Sequence, residues 1–508
     1  MAAERPAGSR ARFQPSPFLR DILNTVAATG ILMVSLVLTT RWVAEAFSSA
    51  DFGVYGLARR LVGTLSIYSN VAGLTLVRFL AIAEDDRARE GHLLGATVLS
   101  LGPGLVLFGA GLLLPEVAAR LAFDDATRRG AAVAMLGLVV TTALFNLLYA
   151  YYRGTGRVAL GNVWNIALVG VGPMLVVLAW AGTGRIDVMI GGAALVLLLA
   201  AVPLAGPVLR GWGGAARRDL PQRLREQLAF GLPRVPGGLA IGGLTAVGPY
   251  LAIRFATAAE AGYLVAGQLL LRLVDAGTAA FGVVALPRIA ELHAQGQREF
   301  IRDRVEDVVA LAFHLGAFAT LHLLVWSDVI VRAWLGDRYI PAIPLVRIVL
   351  VSAVPYCGYT LLRSVIDVLD ERAINTRNTV TAAGVTLALS LGAGVLGYGA
   401  VGLAVATTGG LMVLGALSVH FLWVTLQPRG DALLLGRGAV LAAGTGVAGF
   451  GLRQLLPAGW PIQGQLGLGL LITGALGGLF VLGLRQSGAR WVAECESRVV
   501  RRRAGRAA

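Results

Sequence analysis

Apolar runs long enough to cross a bilayer recur along nearly the whole chain, with only short polar breaks between them. A run of about 20 apolar residues spans a hydrocarbon core as an α-helix. Backbone in lipid must satisfy its own hydrogen bonds, which helices and closed barrels alone achieve, and a barrel would show short alternating segments instead. The chain therefore reads as an all-α polytopic membrane protein. Composition agrees: 56% of the 508 residues are hydrophobic and 14% are charged, against about 25% charged in a soluble domain.

Fourteen spans are expected. Six lie near Ile22 to Ala46, Phe52 to Ala83, His92 to Leu114, Ala131 to Tyr152, Ala159 to Ala181 and Ile186 to Leu209. Six more lie near Gln227 to Ile253, Ala259 to Pro287, Val305 to Trp326, Pro341 to Ile366, Asn378 to Leu396 and Ala400 to Leu426. The last two are Leu434 to Leu456 and Gly464 to Leu484. The first apolar run starts only after Asp21 and no small-residue cleavage site closes it, so it reads as a helix rather than a cleaved signal.

Arginine sets the expected orientation. Arg87, Arg89, Arg153, Arg157, the cluster from Arg210 to Arg225, Arg288, Arg298, Arg302, Arg372, Arg377, Arg429 and the tail with Arg501 to Arg503 fall on one side. Arg41, Arg120, Arg128, Arg129, Arg185, Arg254, Arg332, Arg338 and Arg453 fall on the other. The richer side is expected to be cytoplasmic and to hold both termini. The basic tail reads as a solvated, lipid-facing segment rather than a nucleic-acid site.

The formal net charge is +15, and with no lysine in the chain all 44 basic residues are arginine. Codon bias explains that preference by itself. The absence still excludes chemistry: a Walker A loop needs its lysine, as does Schiff-base catalysis. Cys357 and Cys495 are too distant in setting to pair. His92, His293, His314, His322 and His420 show no metal-ligand spacing. Glu84-Asp85-Asp86 reads as a solvated turn. No cofactor, metal or enzyme activity is expected.

The chain repeats internally. Ser49-Ala50-Asp51-Phe52-Gly53-Val54-Tyr55 is similar to Ala258-Ala259-Glu260-Ala261-Gly262-Tyr263, Leu114 to Leu121 to Val325 to Arg332, and the loop Arg153 to Arg157 matches the place of Asp370-Glu371-Arg372. Six spans per repeat is even, so both halves insert the same way, a parallel repeat about an axis along the membrane normal. The expected organisation is a six-helix bundle over residues 1–209, a linker over 210–226, a second bundle over 227–426, and two extra helices with a basic tail over 427–508.

The Asp51-Phe52-Gly53-Val54-Tyr55 hinge resembles the pattern of bacterial polysaccharide flippases in the multidrug/oligosaccharidyl-lipid/polysaccharide exporter superfamily. So do Phe230-Gly231-Leu232-Pro233, Ala261-Gly262-Tyr263 and Ala285-Leu286-Pro287-Arg288. The resemblance covers roughly the whole chain and rests on the order and spacing of short strings. It implies two bundles around a central cavity with alternating access in the bacterial inner membrane. It also implies a polyprenyl-pyrophosphate-linked oligosaccharide as substrate, with glycan polymerase and glycosyltransferases as neighbours. A cation-coupled drug exporter, a peptidoglycan-precursor flippase and a scaffold for glycan assembly are the alternatives.

Charges inside spans mark the candidate site, because each is costly in lipid unless it faces a cavity or a partner. Arg272 lies deepest, with Asp275 one turn on; the two read either as a buried pair or as a pair that also holds a substrate anion. Arg59 and Arg60 lie in span two, about 100° apart on the helix. Arg234 sits in Pro233-Arg234-Val235-Pro236, where proline should kink or break span seven. Arg78, Arg363 and Arg347 lie near span ends, where snorkelling is the ordinary outcome. A guanidinium grips phosphate oxygens two at a time, which suits a pyrophosphate headgroup. Asn24, Asn70, Tyr68, Asn146, Tyr149, Tyr151, Asn162, Trp164 and Asn165 could serve sugars or ordinary interhelical bonds.

Overall fold

The computed structural model describes residues 17–213, 215–272, 295–369, 373–427, 432–457 and 459–488. All its regular elements are helices. In the first half, α1 (Pro17–Ala46) is followed by α2 (Ser49–Leu65), α3 (Ile67–Ile82), α4 (Asp86–Leu113) and a short α5 (Pro115–Phe123). Then come α6 (Arg129–Gly154), α7 (Val158–Asn165), a π-helical stretch over Ile166–Val171, α8 (Gly172–Trp180), α9 (Ile186–Leu198) and α10 (Ala201–Gly213). The second half runs through α11 (Leu220–Gly231), α12 (Val235–Phe255) and α13 (258–272) to α14 (Arg298–Val325) and a short α15 (Ser327–Leu335). It continues with α16 (Ile343–Leu350), α17 (Ala353–Leu369), α18 (Ile374–Val395), α19 (Gly399–Leu426), α20 (Ala432–Gln454) and α21 (Ile462–Gln486).

Among the described residues, 10 helices are long and apolar enough to cross a membrane, or 13 if each bent pair counts as one span. The remaining expected span, the eighth, opens in α13. Its second half lies outside the described residues, as do the Ala285-to-Arg288 string, the Asp370-Glu371-Arg372 loop and the basic tail.

Three of the expected spans are bent. The α2–α3 pair turns by 44° at Ser66. The Ser66 hydroxyl donates to the Val62 carbonyl and the Thr64 hydroxyl to that of Arg60, and such back-bonds loosen a helix locally. The α9–α10 pair turns by 51° and the α16–α17 pair by 50°. There Pro203 and Pro355 have no N–H to offer the carbonyls one turn before them. Span seven shows the expected interruption as a 3-10 turn, Leu232–Arg234, between α11 and α12. The tight α18–α19 connection is made by Gly397 and Gly399, both at positive φ, where a side chain would be strained.

The first half packs α3, α4 and α9 around α6, whose Val139, Leu147 and Leu148 are buried with Leu76, Met189 and Ile190. In the second half α12, α17 and α18 gather on α19. Helices α20 and α21 lie on the flank against α14, with Phe318 stacked on Phe480 at 5.1 Å. Helix α11 docks on the first half: Gln227 donates to the His92 carbonyl at 2.7 Å, and Arg87 grips Asp219 with two bonds of 2.9 and 3.0 Å.

The end carrying Arg87, Arg153, Arg157 and Arg210 is arginine-rich, and the opposite end is arginine-poor. Seven arginines at the poor end are tied down. Arg128, Arg185, Arg332 and Arg453 pair with Asp51, Asp187, Asp337 and Asp328. Arg41, Arg254 and Arg338 donate to the carbonyls of Ala333, Leu121 and Phe47, each at 2.7 Å. At this end the two halves share one continuous apolar core that includes Phe52, Leu57, Tyr263, Leu264 and Tyr339.

Candidate functional site

The site is organised by two matching helix starts. Ser48 caps α2: its hydroxyl accepts the Asp51 N–H at 3.1 Å and donates to the Asp51 carboxylate at 2.8 Å. Thr257 caps α13 in the same way, at 3.2 Å from the Glu260 N–H and 2.8 Å from the Glu260 carboxylate. A short polar side chain that accepts from N3 and is answered by an acid there fixes a helix start. Two residues beyond each acid stand Gly53 and Gly262, and the two glycines touch. A Cβ on Gly262 would lie 2.9 Å from the Cα of Gly53. The next residue beside each glycine, Phe52 and Tyr263, meets the Tyr339 ring edge-on, at 5.1 and 6.1 Å between ring centroids.

Directly beyond this contact α2 and α13 enclose a cavity of about 140 Å³. It is lined by Leu36 and Thr40 of α1, by Phe52, Tyr55, Gly56, Arg59, Arg60 and Gly63 of α2, and by Val265, Leu269 and Arg272 of α13. Gly56 and Val265, Arg60 and Leu269, and Gly63 and Arg272 are three pairs at the same sequence offset as Gly53 and Gly262. Equivalent positions of the two halves thus line the cavity.

Its charge is one-sided. Three guanidinium groups line it, and no carboxylate does so among the described residues. Arg59 turns toward Tyr55, with its Nη1 3.5 Å from the hydroxyl and its guanidinium 5.8 Å from the ring centroid. Arg60 is buried, its Nη1 and Nη2 have no hydrogen-bond partner among the described residues, and Arg59 and Arg272 press on it with like charge. A desolvated cation without a partner is costly, and a bound anion would relieve Arg60. The geometry can hold a compact multivalent anion such as a phosphate group through several charged N–H donors.

The other candidates fall elsewhere. Asp275 lies outside the described residues, so its relation to Arg272 is not described. Arg78 and Arg234 meet, though not in the cavity: they clasp the Phe230 ring from α3 and from the 3-10 turn, at 4.2 and 3.8 Å. Arg363 is exposed on α17, its carbonyl accepting from Asn375, which also binds Asp367. Asn24 is exposed on α1. Arg347 donates to Ser327 at 2.7 Å. Asn146 bonds Ser69, and Asn162 bonds Thr25, as interhelical contacts do. The sequence reading passed over Thr40 and Tyr55 as lining residues; Tyr55 was legible one turn before Arg59.

No family model and no curated protein sequence matches the chain. Solved structures do. The lipid II flippase MurJ, in an inward closed conformation, superposes with a TM-score of 0.71 over 92% of this chain and 99% of that one, at 12% identity. The chain shares that structure's fold. An inward-facing multidrug resistance MATE family transporter of the MOP superfamily matches at TM-score 0.62 and 14% identity over 81% of this chain and 98% of its own. A MOP superfamily transporter from Pyrococcus furiosus, reported with reverse polarity of its binding pocket, matches at 0.55 and 14%, over 81% of this chain and 95% of its own. At these identities the MOP likeness establishes the architecture of a multi-pass membrane protein, while the chemistry of the cargo must come from the site.

Proposed function

We propose that the chain is a flippase that moves a polyprenyl-pyrophosphate-linked oligosaccharide from the cytoplasmic to the outer leaflet of the bacterial inner membrane. In this reading two six-helix bundles alternate around the cavity, the arginine-rich end is cytoplasmic with both termini, and the protein makes and breaks no covalent bond. The observation that carries the reading is Arg60, a buried cation whose terminal nitrogens have no hydrogen-bond partner among the described residues, lining one cavity with Arg59 and Arg272. An anionic headgroup leaving water needs fixed cations in a shielded place, and a hydrogen bond to a charged group contributes about 1.5–3 kcal/mol there. A drug-like cation would meet three guanidiniums with no described carboxylate to receive it. The lipid tail stays in the bilayer.

A second reading keeps the mechanism and changes the glycan to a peptidoglycan precursor. It is favoured by the MurJ likeness, which covers more of this chain than the MATE likeness does.

The test is mass spectrometry of polyprenyl-linked glycans in cells depleted of the protein. A lipid-linked oligosaccharide that accumulates, and is cleared by wild type but not by Arg60→Ala or Arg272→Ala, supports the first reading. Accumulation of lipid II instead selects the second. No accumulation of either lipid sinks both and turns attention to drug export or scaffolding.

A further inference from the structure

The contacts at the arginine-poor end repeat as the cavity lining does. Arg41 of α1 donates to the Ala333 carbonyl in the last turn of α15 at 2.7 Å. Arg254 of α12 donates to the Leu121 and Arg120 carbonyls in the last turn of α5, at 2.7 and 3.3 Å. Each arginine therefore comes from the first long helix of one half and reaches the short helix of the other. Arg41 and Arg254 stand two hundred and thirteen positions apart, and so do Arg120 and Ala333.

Flanking bonds keep the same offset. Tyr250 donates its hydroxyl to the Leu121 carbonyl at 3.0 Å, and Trp334 its indole N–H to the Val37 carbonyl at 2.9 Å. Val37 is the counterpart of Tyr250, and Leu121 of Trp334. One interface has thus been kept twice, with donor and acceptor exchanged at the flanking bond.

The acceptors explain the choice of arginine. The last four carbonyls of a helix have no partner within it, and the helix dipole places partial negative charge there. Helices α5 and α15 are each nine residues long and stand outside the long spans. A guanidinium from the opposite half satisfies their ends only while the halves are together.

We propose that Arg41 and Arg254 are a symmetric pair of latches that hold the two halves closed at the arginine-poor end and are released together when that end opens. Each latch bridges the halves, so parting them breaks both, and neither can be remade by its own half. The device is independent of what the cavity carries.

The experiment uses the full chain in lipid nanodiscs with Cys357→Ala and Cys495→Ala, and spin labels at Val117→Cys on α5 and Ile340→Cys before α16. Pulsed dipolar spectroscopy then reads the closed and open populations. Arg41→Ala and Arg254→Ala should each shift the closed-to-open ratio toward open by roughly three- to tenfold, the range expected for one net hydrogen bond. Both should shift the ratio in the same direction, Arg254→Ala at least as far as Arg41→Ala because Arg254 reaches two carbonyls, and the double variant should show at least their product. Arg→Lys at either position keeps the cation at the helix end and should lie between wild type and alanine. An unchanged distance distribution in the double variant overturns the proposal, as does a shift for one arginine alone. If the double alanine variant does not fold, the paired lysine variants are read instead, and an unchanged ratio there overturns it equally. Loss of glycan flipping with unaltered distances would bear on the cargo reading and not on the latches.

Discussion

The Cα of Gly53 lies 2.9 Å from where a Cβ on Gly262 would stand, and a Cβ on Gly53 would stand 1.7 Å from the Ala258 carbonyl oxygen. Backbone meets backbone here, and at Gly53 the three nearest atoms are all main-chain atoms. Gly53→Ala should therefore cost more than Gly262→Ala. Overpacking a tight site costs about 1–3 kcal/mol, and Gly53→Ala belongs at or above the top of that range. Thermal unfolding of the two purified variants in one detergent checks the order. Equal tolerance of both alanines would show that α2 and α13 are not held at this distance.

Arg60 should trade stability for function. Its repeat counterpart is Leu269, which lines the same cavity, so leucine is a shape the site already accommodates. Replacing a buried charge with a well-packed apolar group stabilises by about 1–4 kcal/mol where the charge lacks compensation. Arg60→Leu should raise the unfolding temperature and lower lipid-linked glycan clearance at least about tenfold, the consequence of losing one charged hydrogen bond to the headgroup. A variant that unfolds earlier than wild type would mean that Arg60 has a stabilising partner.

The Phe230 clasp predicts the opposite balance. Arg78 and Arg234 spend their charge on one ring, and each such contact contributes about 0.5–1 kcal/mol at exposed sites. Phe230→Leu should lower stability by roughly the sum of two such contacts. Arg78→Ala and Arg234→Ala should each leave more flipping activity than Arg60→Ala in the same complementation assay. Complete loss of clearance in either would move that arginine into the transport path.

A pH prediction comes from the arginine-poor end, outside the spans. The hydroxyl and N–H of Thr127, helped by the nearby Arg128 guanidinium, hold the Asp125 carboxyl below its ordinary value. A carboxylate with a depressed value in the folded state stabilises above its unfolded value of about 3.9 and loses that contribution as pH falls through the folded value. The melting-temperature gap between wild type and Asp125→Asn should be constant near neutrality and shrink as pH drops below about 4. A gap unchanged down to the acid limit would mean that the loop is held by something else.

Much of the architecture was legible because apolar length is a local property. The hinge strings around Gly53 and Gly262 were legible too, since a helix start and its acid are written in four consecutive residues. The resemblance between Leu114 to Leu121 and Val325 to Arg332 marked α5 and α15 without revealing what those helices receive. Bends were not legible, because the return of the Ser66 hydroxyl to a carbonyl leaves no trace in hydropathy. Arg59 and Arg60 were equal candidates in sequence, and both line the cavity; burial alone separates them. Arg78 and Arg234 read as separate charges because their shared ring belongs to a string that looked like a helix opening.

Two identical chains meeting across a two-fold axis would have to place identical residues opposite each other, so a cation on the axis would face its own image. Here equivalent positions belong to one polypeptide, and that constraint is gone. Arg60 lines the cavity where its counterpart is Leu269, and Arg272 where its counterpart is Gly63. The positive charge of one half therefore need not be mirrored in the other. A frame of two similar halves in one chain can therefore present an uneven lining, which is what a cargo with a head and a tail, as proposed above, would require.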